Sequence, residues 1–91
     1  MSIHNVACIG ILVADAVART VDRLPERGKL DLVDQLELYT GGCACNAAIA
    51  MARIGLDVAV IGKIGRDGFG RFLYNSLLDE NVDVDGLVMD E

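Results

Sequence analysis

The stretch Gly41–Gly62, GGCACNAAIAMARIGLDVAVIG, decides the fold class. After its paired glycines, Cys43 to Ile54 carries alanine at 44, 47, 48, 50 and 52. Alanine favours helix and lets a helix approach a sheet closely, and Gly55 is a natural left-handed terminator. The next run, Asp57–Gly62, is almost wholly apolar, as expected of a strand covered on both faces. Helix leading directly into buried strand is the grammar of an α/β protein.

The flanks repeat the alternation. Upstream, Asn5–Gly10 reads as a buried strand, and the apolar residues that follow as far as Ala18 read as a loop entering a pocket. Thr20 to Lys29 turns polar around Pro25 and Gly28, a surface connection. Between Lys29 and Tyr39, Leu30, Leu32, Leu36 and Leu38 share one parity, which predicts a half-buried strand or hairpin bending at Asp34 and Gln35. Downstream, Phe69, Phe72, Leu73, Ser76 and Leu77 form one stripe of a helix over Gly68–Glu80, and Val84–Met89 reads as another strand. Strand, helix, strand, helix, strand predicts a parallel sheet joined by right-handed crossovers.

Length allows one small domain, because the chain has 91 residues. Of these 53% are hydrophobic, an excess for a small domain, whose large surface-to-volume ratio ordinarily demands more polar residues. Two helices over three strands leave an edge and part of a face uncovered, so the fold is expected to continue beyond this chain. Eight Lys and Arg against 14 Asp and Glu give a net charge of −6, which repels phosphate backbones and anionic membrane surfaces. With aromatics at 4% and no Trp, base-stacking platforms are scarce, and nucleic acid is excluded as a partner. No apolar run approaches membrane-helix length, and Val6–Ala18 lacks the positive flank of a signal peptide. The three cysteines are odd in number, and Cys43 and Cys45 stand too close to bridge each other, which implies a reducing, cytoplasmic setting. Without further ligands beyond the single His4, Cys43 and Cys45 read as buried thiols rather than a zinc site.

Three glycine-rich sites are candidates for chemistry. Gly62-Lys63 fails as a phosphate loop because Ile64, not Ser or Thr, follows the lysine. Gly10 fails as a dinucleotide fingerprint because Ile11-Leu12-Val13 stand where turn glycines belong. Gly41-Gly42 differs: two residues without Cβ entering a helix expose backbone N–H groups at the positive end of its dipole. Asn46, one turn on, offers both donor and acceptor, as sugar hydroxyls do. Taken alone, the same residues also read as a strand end and a helix cap.

The longer spacing carries more. Gly41, Gly42, Ala44, Asn46 and Ala48, then Gly55 and Gly65, resemble the amino-terminal signature of the ribokinase-like, or PfkB, carbohydrate kinases. Gly62-Lys63-Ile64-Gly65-Arg66-Asp67-Gly68-Phe69-Gly70 is similar to that family's Gly-x-x-Gly-x-Asp-x-x-Gly segment, and Gly10–Asp15 to its first strand end with a substrate-facing Asp. The likeness runs from about Val6 to about Leu87. It implies a ribokinase-like parallel sheet flanked by helices, with a small β lid over about residues 20–40, the whole of 1–91 being the amino-terminal part of one domain. It further implies that Asp15 accepts hydrogen bonds from sugar hydroxyls, that Gly41 and Gly42 give backbone contacts, and that Asn46 holds another hydroxyl. Outside that likeness, Asp15 reads as a loop cap and Asp67 as the cap of the next helix.

The family's general base lies in a Gly-Ala-Gly-Asp motif that does not occur here. No catalytic residue is therefore assigned, and the residues for ATP and Mg²⁺ are expected outside this chain. The resemblance implies the substrate-binding part of an ATP-dependent kinase acting on a sugar or nucleoside hydroxyl, inactive by itself, with a homodimer through the lid strands. The competing reading is a stand-alone binding module whose open sheet edge pairs with another chain.

Overall fold

The computed structural model describes residues 4–90. Along the chain run β1 (Val6–Ile9), β2 (Val13–Arg19), β3 (Gln35–Gly41), α1 (Cys43–Arg53), β4 (Val58–Gly65), α2 (Gly68–Asp79) and β5 (Asp83–Asp90). A parallel sheet has the order β1-β4-β5, and β2 and β3 form a separate antiparallel pair. Val6 pairs with Val58 and Ile9 with Ile61, while Ile61 continues to Gly86 and Gly65 to Asp90. The expected parallel sheet with flanking helices is thus present, as is a small two-stranded flap.

Each crossover steps one strand in the same direction, and right-handed connections then lay both helices on the same face. Side-chain alternation agrees. Cys8, Val58, Val60 and Ile64 are buried with Ala44, Cys45 and Ala48 of α1 and Leu73 and Leu77 of α2. On the opposite face Ile9, Ile61 and Val88 are 73%, 42% and 54% exposed. The uncovered area is therefore one entire face of the sheet.

Both helices end by the same device. Gly55 has φ 98° beyond α1, and the Leu56 N–H donates to the Met51 carbonyl. Beyond α2, Asn81 takes φ 62° and the Val82 N–H donates to the Leu77 carbonyl, so a left-handed residue closes each last turn. At the start of α2, Asp67 Oδ1 accepts from the Gly70 N–H at 2.8 Å, the cap expected from sequence.

The flap departs from the sequence reading. Residues 13–19 are a strand rather than a loop, and residues 29–34 are not strand at all. The lid sheet is accordingly Val13–Arg19 with Gln35–Gly41, and residues 20–34 connect its strands outside regular pairing. Leu30 and Leu32 are 98% and 94% exposed, so their shared parity buries nothing. A strand needs a partner for its backbone, and β2 supplies one only from Gly41 opposite Val13 to Gln35 opposite Arg19. Standing off the core, this pair contributes to a radius of gyration of 16.0 Å, against roughly 12 Å for a compact domain of this length.

Candidate functional site

The lid leaves the sheet at the carboxyl end of β1 and returns at the amino end of α1, where ligands of open α/β sheets bind. Asp15 lies within β2, and its carboxylate rests against Gly41: a Cβ there would sit 2.6 Å from Asp15 Oδ2. Gly42 has φ 85°, and a Cβ on it would meet the Ile11 carbonyl oxygen at 2.5 Å. That oxygen accepts from the Ala44 N–H at 3.1 Å, which pins the β1–β2 connection to the first turn of α1. Glycine at 41 and 42 is thus required by close approach and backbone conformation.

Asn46 is exposed on the first turn of α1, and its backbone N–H donates to the Gly42 carbonyl at 3.0 Å. Neither the Asp15 carboxylate nor the Asn46 amide is engaged by a side-chain hydrogen bond among the described residues. Asp15, distant in sequence, is thus brought from β2 against Gly41, next to Gly42 and the first turn of α1 that carries Asn46. The arrangement can accept hydrogen bonds at a carboxylate, exchange them at an amide, and offer a helix amino terminus beside both. It is an open shelf. Depressions of about 740 and 720 Å³ lie instead around Gly65, Arg66 and Asp67, where β4 turns into α2.

That turn explains the second glycine segment structurally. A Cβ at Gly62 would strike the Leu12 side chain, one at Gly65 would lie 2.9 Å from Asp67 Oδ2, and one at Gly70 would run into the Gly65 carbonyl oxygen. The segment shapes a tight strand-to-helix turn. Lys63 Nζ lies 3.9 Å from Asp90 Oδ2.

The two neighbouring thiols differ, which corrects their joint reading as buried. Cys45 is buried, and burial pushes its thiol up, only partly opposed by a hydrogen bond with Thr40. Cys43 is exposed, with its Sγ beside Gly10, while Ala44 and Cys45 pack into the core. Among the described residues no group of three or more His, Cys, Asp or Glu could hold a metal, and no helix is long and apolar enough to cross a membrane.

Sequence reasoning missed the rest of the lid. Tyr39 stands directly opposite Asp15, and Glu37 and Arg19 share that face. Arg19 Nη2 donates to the Tyr39 hydroxyl at 2.8 Å, and the hydroxyl donates to Glu37 Oε2 at 2.5 Å. The signal was the alternation of Val13, Asp15, Val17 and Arg19 with Ala14, Ala16 and Ala18, legible only once that run is read as a strand.

A parallel sheet with both helices on one face, a two-stranded antiparallel flap between β1 and α1, and a Gly-Gly helix entry beside a carboxylate define an open-sheet α/β protein. The profile of the pfkB family carbohydrate kinase matches residues 3–91, and the chain belongs to that family. A ribokinase of Bacillus subtilis is 34% identical over 82 residues, 90% of this chain and 28% of its own length. A fructokinase of Klebsiella pneumoniae is 39% identical over 79 residues, 87% of this chain and 23% of its own. The crystal structure of an uncharacterized sugar kinase from Pyrococcus horikoshii in complex with ATP superposes with a TM-score of 0.75 at 35% identity, over 94% of this chain and 26% of that one. The chain thus spans about a quarter of the length of the relatives it matches.

Proposed function

We propose that residues 1–91 are the amino-terminal, substrate-binding part of a single ribokinase-like domain in an ATP-dependent kinase that phosphorylates a hydroxyl of a sugar or nucleoside. The observation that carries this reading is the Asp15 carboxylate resting against Gly41 at the entry to α1. A carboxylate there accepts hydrogen bonds from adjacent hydroxyls, Gly41 and Gly42 give backbone contacts, and Asn46 holds a further hydroxyl. The lid, β2 with β3, covers the sugar and excludes water that would otherwise take the phosphate.

Bound ATP with Mg²⁺ supplies the phosphoryl group. In this reading the residues that hold ATP and Mg²⁺ and the general base lie in other parts of the enzyme, so residues 1–91 by themselves are expected to be inactive. The free cysteines fit a reducing cytoplasm. The exposed lid strands suit pairing with the lid of a second copy.

The test is steady-state kinetics of the full-length protein with ATP, Mg²⁺ and a panel of sugars and nucleosides. Asp15→Ala and Asn46→Ala should each lower kcat/KM for the sugar by ~10- to 100-fold, the scale of losing a charged or buried hydrogen bond. Near-normal kinetics for both would remove these assignments. A second reading, an interaction module, is favoured by the bare face with Ile9, Ile61 and Val88. A well-folded dimer of the 91-residue chain with slow amide exchange would support it, and aggregation would count against it.

A further inference from the structure

The two faces of the lid are chemically unlike. Residues directly opposite in an antiparallel pair share a face. One face carries Val13, Asp15, Val17 and Arg19 with Gln35, Glu37, Tyr39 and Gly41, and the other carries only alanines, Leu36, Leu38 and Thr40. Asp15 and Tyr39 form one cross-strand pair, so their Cβ atoms stand about 5 Å apart.

Tyr39 is held unusually firmly for an exposed residue. Its hydroxyl accepts from Arg19 at 2.8 Å and donates to Glu37 at 2.5 Å, which uses its donor and its principal acceptor position together. The Glu37 carboxylate pushes the phenol above its ordinary titration range, so the ring stays neutral. What remains available is the ring itself, 40% exposed beside a carboxylate that has no partner on the lid. A rigid aromatic plane costs little conformational entropy on binding.

We propose that Tyr39 is a specificity-determining residue of the sugar site, presenting its ring to the apolar C–H side of a neutral sugar whose neighbouring hydroxyls are taken by Asp15. Arg19 and Glu37 are positioning residues that fix the ring. The inference rests on the sugar-kinase reading above and deepens it. A sugar has a hydroxyl rim and an apolar C–H side, and the Asp15–Tyr39 pair offers a complement to each. Charge decides between neutral and acidic sugars. On this face Asp15 and Glu37 contribute −2 and Arg19 +1, and the cation is already directed to Tyr39. The net −1 on this open face disfavours a sugar carboxylate.

The experiment is steady-state kinetics of the full-length protein with D-fructose, D-ribose, D-glucose and D-gluconate, for the unsubstituted protein and for Tyr39→Ala, Tyr39→Phe, Glu37→Gln and Asp15→Ala. A neutral sugar should exceed gluconate in kcat/KM by at least ~10-fold, about what one unfavourable charge contact supplies. Tyr39→Ala should raise the sugar KM roughly tenfold with the ATP KM unchanged, Tyr39→Phe should retain most of the affinity, and Glu37→Gln should fall between them. A sugar KM within twofold of normal in Tyr39→Ala, while Asp15→Ala raises it, overturns the role of Tyr39 and leaves the kinase reading standing. Preference for gluconate overturns the neutral-substrate assignment. Failure of the unsubstituted protein to phosphorylate any of the panel sugars, or nucleosides tested beside them, overturns the kinase reading itself and this inference with it.

Discussion

The parallel sheet and the lid are both made of β-strand, yet they are held by different forces. In the sheet, β4 lies between two neighbours and under two helices, and Val58, Val60 and Ile64 are buried. In the lid, every side chain of β3 from Gln35 to Tyr39 is exposed, and pairing with β2 is the chief source of order. A two-stranded ribbon alone is marginal in water, so the lid depends on its anchored base: Leu12 and Ala14 packed on the core, and the Ile11 carbonyl bonded to α1. The rigid part carries the stability, and the marginal part carries the side chains assigned to the ligand in the function proposed above.

That contrast can be broken most directly at the core. Leu77→Ala should cost ~2–5 kcal/mol by urea unfolding, the range for emptying a packed leucine site, whereas Leu32→Ala should stay within ~0.5 kcal/mol. Equal losses would mean that the lid is part of the core. Next comes the hinge between the regions. Gly42→Ala forces a side chain into positive φ against the Ile11 oxygen, and ~1–3 kcal/mol of strain should appear together with faster amide exchange in the lid. Unchanged exchange would separate lid order from the helix entry.

A smaller effect is expected at the β4–α2 turn, where Asp67→Ala removes the cap on the Gly70 N–H at ~0.5–2 kcal/mol and should leave lid exchange untouched. The smallest concerns the far end of the sheet. His4 Nδ1 lies 2.9 Å from Asp57 and Nε2 2.8 Å from Asp83, tying the starts of β1, β4 and β5 together. The hydrogen bond to Asp57 leads in raising the His4 pKa above 6.5, against a desolvation effect that lowers it. Folded His4 therefore binds its proton more tightly than unfolded His4. Its contribution is complete below about pH 6.5, falls as pH rises, and is gone above the raised folded value. Asp83 moves oppositely: the Asp85 N–H and then His4 hold its carboxyl below the usual range, a contribution lost as pH falls through that lowered value. Unfolding midpoints measured from pH 6 to pH 9 should decline for the unsubstituted chain and flatten in His4→Gln. A flat profile in both would dissolve the clamp.

Much of the fold was legible because its signals are local. The helix after Gly42, the strand after Asp57, and the Gly55 and Asp67 helix boundaries follow from propensity, capping and periodicity within a few residues. The candidate site is legible only in part: motif spacing points to Asp15, Gly41, Gly42 and Asn46, whereas their neighbours Tyr39, Glu37 and Arg19 come into view only through the register of β2 with β3. Leu30, Leu32, Leu36 and Leu38 alternate like a strand, but period alone carries no information about whether a partner or a core lies alongside.

By itself, the sequence determined the order of helices and strands, the glycine-led entry to α1 and the resemblance to carbohydrate kinases, since each is written in residues near one another. Tertiary structure decided what depends on distant pairing: that both helices share one face, that β2 rather than residues 29–34 completes the lid, and that Asp15 lies against Gly41 with Tyr39 across from it. Register and crossover direction bring those groups together, and neither is encoded in any single segment.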